Sequence, residues 1–329
     1  MIFGKIYESL CFSFGKRGSK YALLLTITLG IAGSFLYVFG DVITSPWTIF
    51  WGRFLQGVWT GGKQVVEQTY LSENAGSRVT ELTAELGTFA ILGFVCGPSF
   101  GALFTAIDFK VGGVTIDALT APGFFILGLC ILIFGLVCVF FNPIEEGIRG
   151  DDGNGHVDYG KTTENYSSNI PQNEATFDPP SQTGLITMLV LFIVHFYSFA
   201  IQETITTPFV LANYGWDQAS VNLLFVGVGV ISLITSIGVK YASRIASDFD
   251  LLIVSLIIGL VGSLLLVDGD EGGQPIMLPL SRFYVGFVFI TVAFPFGRNV
   301  SLSIFSKILG PTPQGTWFGY MFAAGALPR

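Results

Sequence analysis

This chain has little charge for its length. Only 12% of its 329 residues are Asp, Glu, Lys or Arg, whereas 51% are hydrophobic and the mean hydropathy is +0.66. Soluble domains carry roughly 25% charged residues, so an ordinary soluble fold is excluded. The apolar residues form continuous runs, whereas a membrane β-barrel uses strands of about ten residues in which polarity alternates. The composition therefore predicts a helical protein with several membrane spans.

Motifs for catalysis and metal binding are missing from the sequence. It contains no glycine-rich phosphate loop followed by Lys, no HExxH pair and no Ser/His/Asp arrangement outside the apolar runs. The cysteines lie in or beside apolar segments without metal-ligand spacing, and packing is their favoured role. They are Cys11, Cys96, Cys130 and Cys138. We expect no enzymatic activity and no cofactor, metal or nucleic-acid partner.

Eight stretches are apolar and long enough to cross a bilayer, which takes about 20 residues of helix. They are residues 21–40, 47–72, 80–106, 120–141, 184–212, 218–240, 251–267 and 279–306. The first, fourth and seventh carry no charged side chain, whereas charge recurs in the second, fifth and eighth. A charge at mid-membrane costs at least about 2.5 kcal/mol and is kept where it faces protein or water. We therefore expect the charged spans to line a polar interior, as in a transporter or channel, and the uncharged spans to face lipid.

An acidic segment, residues 142–183, divides the spans into four before it and four after it. It is rich in Gly, Asn, Ser and Pro and nearly free of large apolar residues, which predicts a disordered connector. We expect an N-terminal half over residues 1–141 and a C-terminal half over residues 184–329. Basic residues are concentrated in alternate connections, and the positive-inside rule places the acidic connector in the cytosol.

The two halves show a faint internal repeat. Arg53-Phe54-x-x-Gly57 matches Arg282-Phe283-x-x-Gly286 at an offset of 229 residues. Both segments lie on a charged span of their half, just inside its predicted outer end. Parallel repeats related by an axis along the membrane normal produce such a pair.

Two motifs give the chain a resemblance to the major facilitator superfamily. Arg53-Phe54-Leu55-Gln56-Gly57 resembles the signature of that family's helix 4, and Gly93-x-x-x-Gly97-Pro98-x-x-Gly101 resembles that of its helix 5. Glycines let helices approach closely, and proline bends a helix. The resemblance implies that these motifs serve helix packing, through Gln56, Gly57, Gly93, Gly97, Pro98 and Gly101.

The same resemblance implies an all-α membrane protein with two pseudo-symmetric helical halves. Members of the superfamily have two groups of six helices joined by a long cytoplasmic loop. The visible spans then resemble family helices 3 to 10 with part of helix 11. We expect the fold to be incomplete, as in a partial gene model or a truncated isoform.

Further stretches resemble a lysosomal branch of the superfamily, the neuronal ceroid lipofuscinosis type. They are residues 113–117, 203–208, 214–219 and 306–315. The resemblance implies movement of a small, chloride-like anion across an endolysosomal membrane. Two short patterns, residues 7–10 and 248–252, also fit lysosomal sorting signals.

The charged spans supply the candidate substrate or ion pathway. Its residues are Arg53, Lys63, Glu67, His195, Glu203 and Arg282. Positive charge is in mild excess on these spans, which favours an anion. The alternatives are ion pairs that hold helices together, local neutralisation of Lys63 by Glu67, and a neutral His195 hydrogen-bonded across helices. For the whole chain, the alternatives are a proton-coupled organic solute antiporter and a non-transporting fragment or scaffold.

Overall fold

The computed structural model of the chain describes most of the sequence. The described residues are 2–15, 17–40, 45–104, 107, 109–111, 114–117, 120–143, 180–267, 270–271, 274–275, 278–310 and 312–328. Within the acidic connector, residues 144–179 lie outside this set.

Ten α-helices occur within the described residues, and each of the eight predicted spans coincides with one of them. The helices are α1 (Ile2–Phe14), α2 (Arg17–Val38), α3 (Pro46–Asn74), α4 (Val79–Phe104), α5 (Ala121–Phe140), α6 (Gln182–Tyr214), α7 (Gln218–Ala242), α8 (Asp248–Leu266), α9 (Leu280–Leu309) and α10 (Gly315–Ala326). Two short antiparallel hairpins are formed by β1 (Phe109–Val111) with β2 (Val114–Ile116) and by β3 (Asp270–Glu271) with β4 (Gln274–Pro275).

Local sequence signals set several helix ends. Ser181 and Asp217 cap the N-termini of α6 and α7, where their side chains accept hydrogen bonds from the backbone N–H groups of Gly184 and Ser220. Gly215 ends α6 with a φ of 63°, a left-handed conformation that glycine adopts readily. Capping residues at the span boundaries therefore make these helices begin and end close to where the apolar runs begin and end.

Six helices of the described part are long and apolar enough to cross a membrane. They are α2, α5, α6, α7, α8 and α9. Helix α3 has 29 residues and would extend about 43 Å at 1.5 Å per residue, which is ample for a bilayer. Its polar side chains lower its mean hydropathy, so it has the length for a span but is less apolar than the other six helices.

The helices group into two compact units. Unit 1 comprises Met1–Glu73, Gly101–Pro180 and Pro311–Phe322, and unit 2 comprises Asn74–Phe100, Ser181–Gly310 and Ala323–Arg329. Most of α4 thus packs with the helices of the C-terminal half, while the start of α10 packs with those of the N-terminal half. Each unit draws a segment from the other half of the sequence.

In unit 1, helices α2 and α3 approach each other at glycines. A Cβ on Gly33 would lie 2.9 Å from both the backbone N of Gln56 and the carbonyl oxygen of Gly52. The Gln56 amide also donates to Ser34 Oγ at 3.2 Å. Small residues allow backbones to come this close, and a polar side chain then joins the two helices.

One end of unit 1 holds a cluster of polar groups around Tyr7. The Tyr7 hydroxyl is buried, donates to Glu73 Oε2 at 2.8 Å and lies 3.3 Å from Ser19 Oγ. Nearby on α1, Glu8 accepts hydrogen bonds from the backbone N–H and the hydroxyl of Thr316, each at 2.8 Å. These contacts tie α1 to the end of α3 and to the first turn of α10.

Unit 2 is built around α9, which packs against α6, α7 and α8. Helices α8 and α9 also meet at glycines, since a Cβ on Gly262 or on Gly286 would lie 3.0 Å from the carbonyl oxygen of the other residue. On the α6 side, the ring of Phe199 stacks on that of Phe294 with centroids 4.1 Å apart. The core of this unit therefore combines close backbone approach with aromatic packing.

A network of charged and hydroxyl groups lies at one end of unit 2. Asp248, at the start of α8, accepts hydrogen bonds from Thr80 Oγ1 at 2.9 Å and from Lys307 Nζ at 2.6 Å. Lys240 on α7 pairs with Glu85 on α4, with Nζ and Oε2 3.3 Å apart. Because Thr80 and Glu85 belong to the first turns of α4, these contacts bind that end of α4 to α7, α8 and α9.

Candidate functional site

A polar stripe runs along the exposed face of α3. We call it the α3 stripe; its residues are Arg53, Gly57, Thr60, Gly61 and Gln64, all exposed, with the partly buried Lys63 and Glu67 beside them. Residues 53, 57, 60, 64 and 67 follow one another at intervals of three or four, which puts them on one side of a helix, and Gly61 and Lys63 flank this line. The other side packs inward through the buried residues Val65, Val66 and Thr69. In a membrane, such a polar face requires contact with water or protein rather than lipid.

Arg53 lies near the N-terminal end of the α3 stripe. Its guanidinium carbon sits 4.0 Å from the centre of the Tyr37 ring of α2, within the range of a cation–π contact. Arg53 Nη1 also donates to Gln56 Oε1 at 3.3 Å, which uses one of the five guanidinium N–H groups. The ring and the amide hold the side chain in place, and no acidic side chain takes part in these two contacts.

Lys63 and Glu67 form an ion pair further along α3. Lys63 Nζ lies 3.2 Å from Glu67 Oε1, and the two side chains are 37% and 29% exposed. They are one turn apart on the same helix, so the pair forms without contact to another element. The positive charge of Lys63 is thus balanced locally, and Arg53 is the cation of the α3 stripe that its own helix does not neutralise.

The two glycine motifs have different surroundings from the glycines that join α2 to α3. Among the described residues, no atom of another segment lies within 4 Å of a Cβ built at Gly57 or Gly93. Gly97, Pro98 and Gly101 lie on α4, but their side-chain surroundings fall outside the described part. A role of these motifs in helix packing stays a prediction.

Arg282 of unit 2 binds backbone carbonyls. Its Nε donates to the carbonyl oxygen of Leu265 at 2.8 Å and its Nη2 to that of Val267 at 2.7 Å. Both carbonyls lie at the C-terminal end of α8, where helical carbonyls lack partners and carry partial negative charge. Arg282 therefore caps α8, whatever else it contacts.

His195 and Glu203 lie on α6 but point in different directions. Eight residues at 3.6 per turn place their side chains about 80° apart around the helix. His195 is 5% exposed, with Nδ1 2.8 Å from the carbonyl oxygen of Leu191 and Nε2 3.4 Å from Ser255 Oγ of α8. Glu203 is exposed. Within unit 2, the structure thus places His195 between helices and Glu203 on the surface.

Other polar residues were not singled out by the sequence analysis. Thr60 and Gln64 complete the α3 stripe, and their spacing from Arg53 and Glu67 carries the signal. Gln202 is buried beside Glu203, and its amide donates to Thr291 Oγ1 of α9 at 2.7 Å. Gln202 gives no comparable signal, because amides are common in sequence and only the packing shows its burial.

No group of three His, Cys, Asp or Glu side chains in the described part of the chain is arranged to hold a metal ion. The exposed polar groups of the α3 stripe can contact a dissolved solute through charge and hydrogen bonds.

Comparisons with known proteins agree with this architecture. The sequence profile of the Major Facilitator Superfamily matches residues 13–329. Major facilitator superfamily domain-containing protein 8 of Xenopus laevis is 25% identical in an alignment 369 residues long. The alignment covers 95% of this chain and 71% of that protein. The crystal structure of the human organic anion transporter MFSD10 (TETRAN) superposes with a TM-score of 0.67 at 15% identity, covering 99% of this chain and 74% of that chain.

The family and the fold class predicted from the two motifs are confirmed. The profile covers almost the whole chain, and the solved structure shares its helical fold. The chain is therefore a multi-pass membrane protein that belongs to the Major Facilitator Superfamily of solute transporters.

Proposed function

We propose that this chain moves a small anion, of the size and charge of chloride, across an endolysosomal membrane. The observation that carries the proposal is Arg53, a fixed cation on the exposed polar face of a spanning helix. Lys63 is paired with Glu67, and Arg282 is engaged by carbonyls of α8. This leaves Arg53 as the group best suited to attract an anion into the α3 stripe.

Hydrogen-bonding groups follow Arg53 along the stripe. Thr60 and Gln64 are one and two turns beyond Gly57, on the same exposed face. The Thr60 hydroxyl donates its proton to the carbonyl oxygen of Gln56 at 2.9 Å, so the Gln64 amide N–H is the neutral donor offered here. It can replace part of the hydration of a halide without binding it tightly. An anion attracted by Arg53 would therefore meet this donor beside the Lys63–Glu67 pair.

The endolysosomal setting rests on the resemblance to the lysosomal branch of the family. The two sorting patterns give it no support, because Tyr7 is 1% exposed and Leu251 and Leu252 are 5% and 4% exposed. Expression of a tagged full chain in cultured cells, with imaging against a lysosomal marker, tests the setting directly. Location in the plasma membrane alone would contradict it.

Flux in proteoliposomes tests the transport proposal. The full chain is reconstituted, and chloride entry is followed with a chloride-quenched dye. We expect chloride entry above that of empty vesicles, and an Arg53→Gln loss of about tenfold, as removal of one charge-assisted contact predicts. Lys5→Gln is the matched control, because Lys5 is an exposed cation on α1, away from the stripe.

Two outcomes would reject the proposal. Flux equal to that of empty vesicles, from chain that is monodisperse and inserted, would support the non-transporting alternative. Equal flux from the wild type and the Arg53→Gln variant would remove Arg53 from the pathway.

A proton-coupled organic solute antiporter is the second candidate. The observation that favours it is Glu67, a carboxylate within a spanning helix that can exchange a proton beside Lys63. The solved structural relative is described as an organic anion transporter, which is consistent with a larger anionic substrate. Flux that depends on an imposed pH gradient and is lost in Glu67→Gln would favour this candidate; flux indifferent to pH would favour passive anion movement.

A further inference from the structure

A cavity of about 350 Å³ lies in unit 2 between α6, α8 and α9. Cavities of roughly 300–1,000 Å³ hold small ligands in proteins. The walls are mainly apolar, and two of the lining residues, Val194 and Leu260, are 47% and 61% exposed. Because α8 carries no charged residue between Leu251 and Leu266, its exposed face contacts lipid. The cavity therefore opens toward the hydrocarbon of the membrane.

Each serine hydroxyl that lines the cavity donates its proton in a hydrogen bond to a backbone carbonyl. Ser198 donates to the carbonyl of its own helix at 3.0 Å, Ser255 donates at 2.8 Å and Ser263 at 2.9 Å. A serine hydroxyl has one proton to donate and two lone pairs that accept. Toward the cavity, these serines therefore present acceptors only.

His195 adds a further acceptor. Its Nδ1 lies 2.8 Å from the carbonyl oxygen of Leu191. A carbonyl can only accept, so Nδ1 carries the proton and Nε2 of the neutral ring carries a lone pair. Ser255 Oγ is 3.4 Å from that nitrogen, but its proton is directed to the Leu252 carbonyl at 2.8 Å. Among the described residues, the buried imidazole, which lines the cavity and packs against Gly297 of α9, thus lacks a good donor to Nε2.

We propose that this cavity binds a sterol-type membrane lipid, whose single hydroxyl donates to His195 Nε2. A sterol combines one donor with a rigid apolar body that has no other polar group, which matches an apolar cavity whose polar atoms are acceptors. A fatty-acid carboxylate brings no proton, and diacylglycerol would place ester oxygens against these acceptors.

The position of the polar atoms along α8 fits this occupant. Ser255 is five residues, or about 8 Å, beyond Asp250 at the polar end of the helix. The α8 wall of the cavity then continues to Ser263, about 12 Å deeper. A sterol in the same orientation as in the bilayer would place its hydroxyl beside Ser255 and its rings along the deeper wall.

The cavity is distinct from the proposed anion pathway. It offers no positive charge and no free donor among its described lining residues, so it suits neither chloride nor another anion. A sterol site here would remain even if the transported solute were not an anion.

Photolabelling of the full chain in phosphatidylcholine vesicles tests the proposal. The probe is a photoreactive sterol with a free 3-hydroxyl, and its 3-keto analogue serves as the matched ligand that lacks the donor. Labelled peptides are located by mass spectrometry. We expect labelling on α6, α8 and α9, at least about fivefold stronger for the hydroxyl probe, as expected for loss of one buried hydrogen bond.

A pair of variants tests the location. Leu260→Trp fills the mouth of the cavity from an exposed position, whereas Leu264→Trp makes the same change one turn away, where the side chain is 60% exposed and does not line the cavity. We expect Leu260→Trp to reduce labelling severalfold and Leu264→Trp to leave it unchanged. Equal labelling by the two probes, labelling unaffected by Leu260→Trp, or labelled peptides only on other helices would each overturn the proposal.

Discussion

Single residues of the same type have different tasks in this protein. Arg53 and Arg282 occur in matching segments of the two halves, and each contacts the end of the preceding helix. Arg53 lies over the ring of Tyr37, whereas Arg282 donates to the Leu265 and Val267 carbonyls. A cation–π contact leaves guanidinium N–H groups for a ligand, but two carbonyl contacts take up donors on both sides of the group. The repeat therefore conserves position while the chemistry differs.

Removal of the α8 cap should affect stability. We expect Arg282→Gln to lower the melting temperature of the detergent-solubilised chain by a few degrees, since charged hydrogen bonds to helical carbonyls contribute about 1–2 kcal/mol. Arg53→Gln should change the melting temperature less, because within the described part of the chain Arg53 donates to the Gln56 side chain and not to a backbone carbonyl. Equal melting temperatures for wild type and Arg282→Gln would show that the cap contributes nothing to stability.

Glu73 should make the stability of unit 1 depend on pH. It lies one residue beyond the predicted span 47–72, and burial raises the pKa of its carboxyl to about 7, although the hydrogen bond from Tyr7 opposes the shift. Between the ordinary pKa near 4.5 and about 7, the folded chain then binds more protons than the unfolded chain. Stability should therefore fall as pH rises through this window and level off above it.

Glu73→Gln tests this sign. The variant keeps an acceptor for the Tyr7 hydroxyl but has no proton to lose, so its melting temperature should vary less between pH 5 and pH 8, which covers about the whole window. It should also melt above the wild type at the alkaline end. Lys5→Gln serves as the control, and an unchanged pH slope in Glu73→Gln would contradict the prediction.

At the scale of whole helices, close glycine contacts recur in both units. Gly33 faces α3 and Gly262 faces α9, and these two glycines are separated by the same 229 residues as Arg53 and Arg282. In each case the glycine lies on an apolar helix and approaches the backbone of the polar helix that follows it. This agreement extends the internal repeat from sequence to packing.

Alanine substitution should separate packing glycines from open ones. In Gly33→Ala, the new methyl group would meet backbone atoms of α3 at 2.9 Å, so we expect a clear fall in melting temperature. Gly57→Ala meets nothing within 4 Å in the described structure and should stabilise α3 slightly through helix propensity. Thermal unfolding in detergent measures both. Equal destabilisation by the two changes would show that Gly57 also packs closely.

On the scale of the whole molecule, the proposed pathway predicts a pattern of water access. Cysteines placed at Thr60 and Gln64 of the α3 stripe, in a background without the four native cysteines, should react with a charged thiol reagent in intact vesicles. Ile257 and Leu264 on α8 are also exposed, but their uncharged helix is expected to face lipid, so cysteines there should react slowly. Slow reaction at both stripe positions would remove the basis of the pathway.

Much of the fold could be predicted from the sequence. All eight predicted spans correspond to helices, because the free energy of transfer into a membrane depends on the polarity of each side chain along the chain. The family, which was predicted from two motifs, was also confirmed. The candidate site was predicted only in part. Arg53 and Lys63 were found by their charge, whereas Thr60, Gln64 and Gln202 are neutral and gained meaning from their position in the packed helices.

The sequence by itself determined which segments cross the membrane and which of them carry polar groups. Tertiary structure decided the partners: Tyr37 for Arg53, carbonyls of α8 for Arg282, and Ser255 beside His195. It also placed most of α4 in the same compact unit as α6 to α9 rather than with its sequence neighbours. Hydrophobicity is a local property of the chain, whereas these partners are brought together from distant positions by helix packing, which no local pattern encodes.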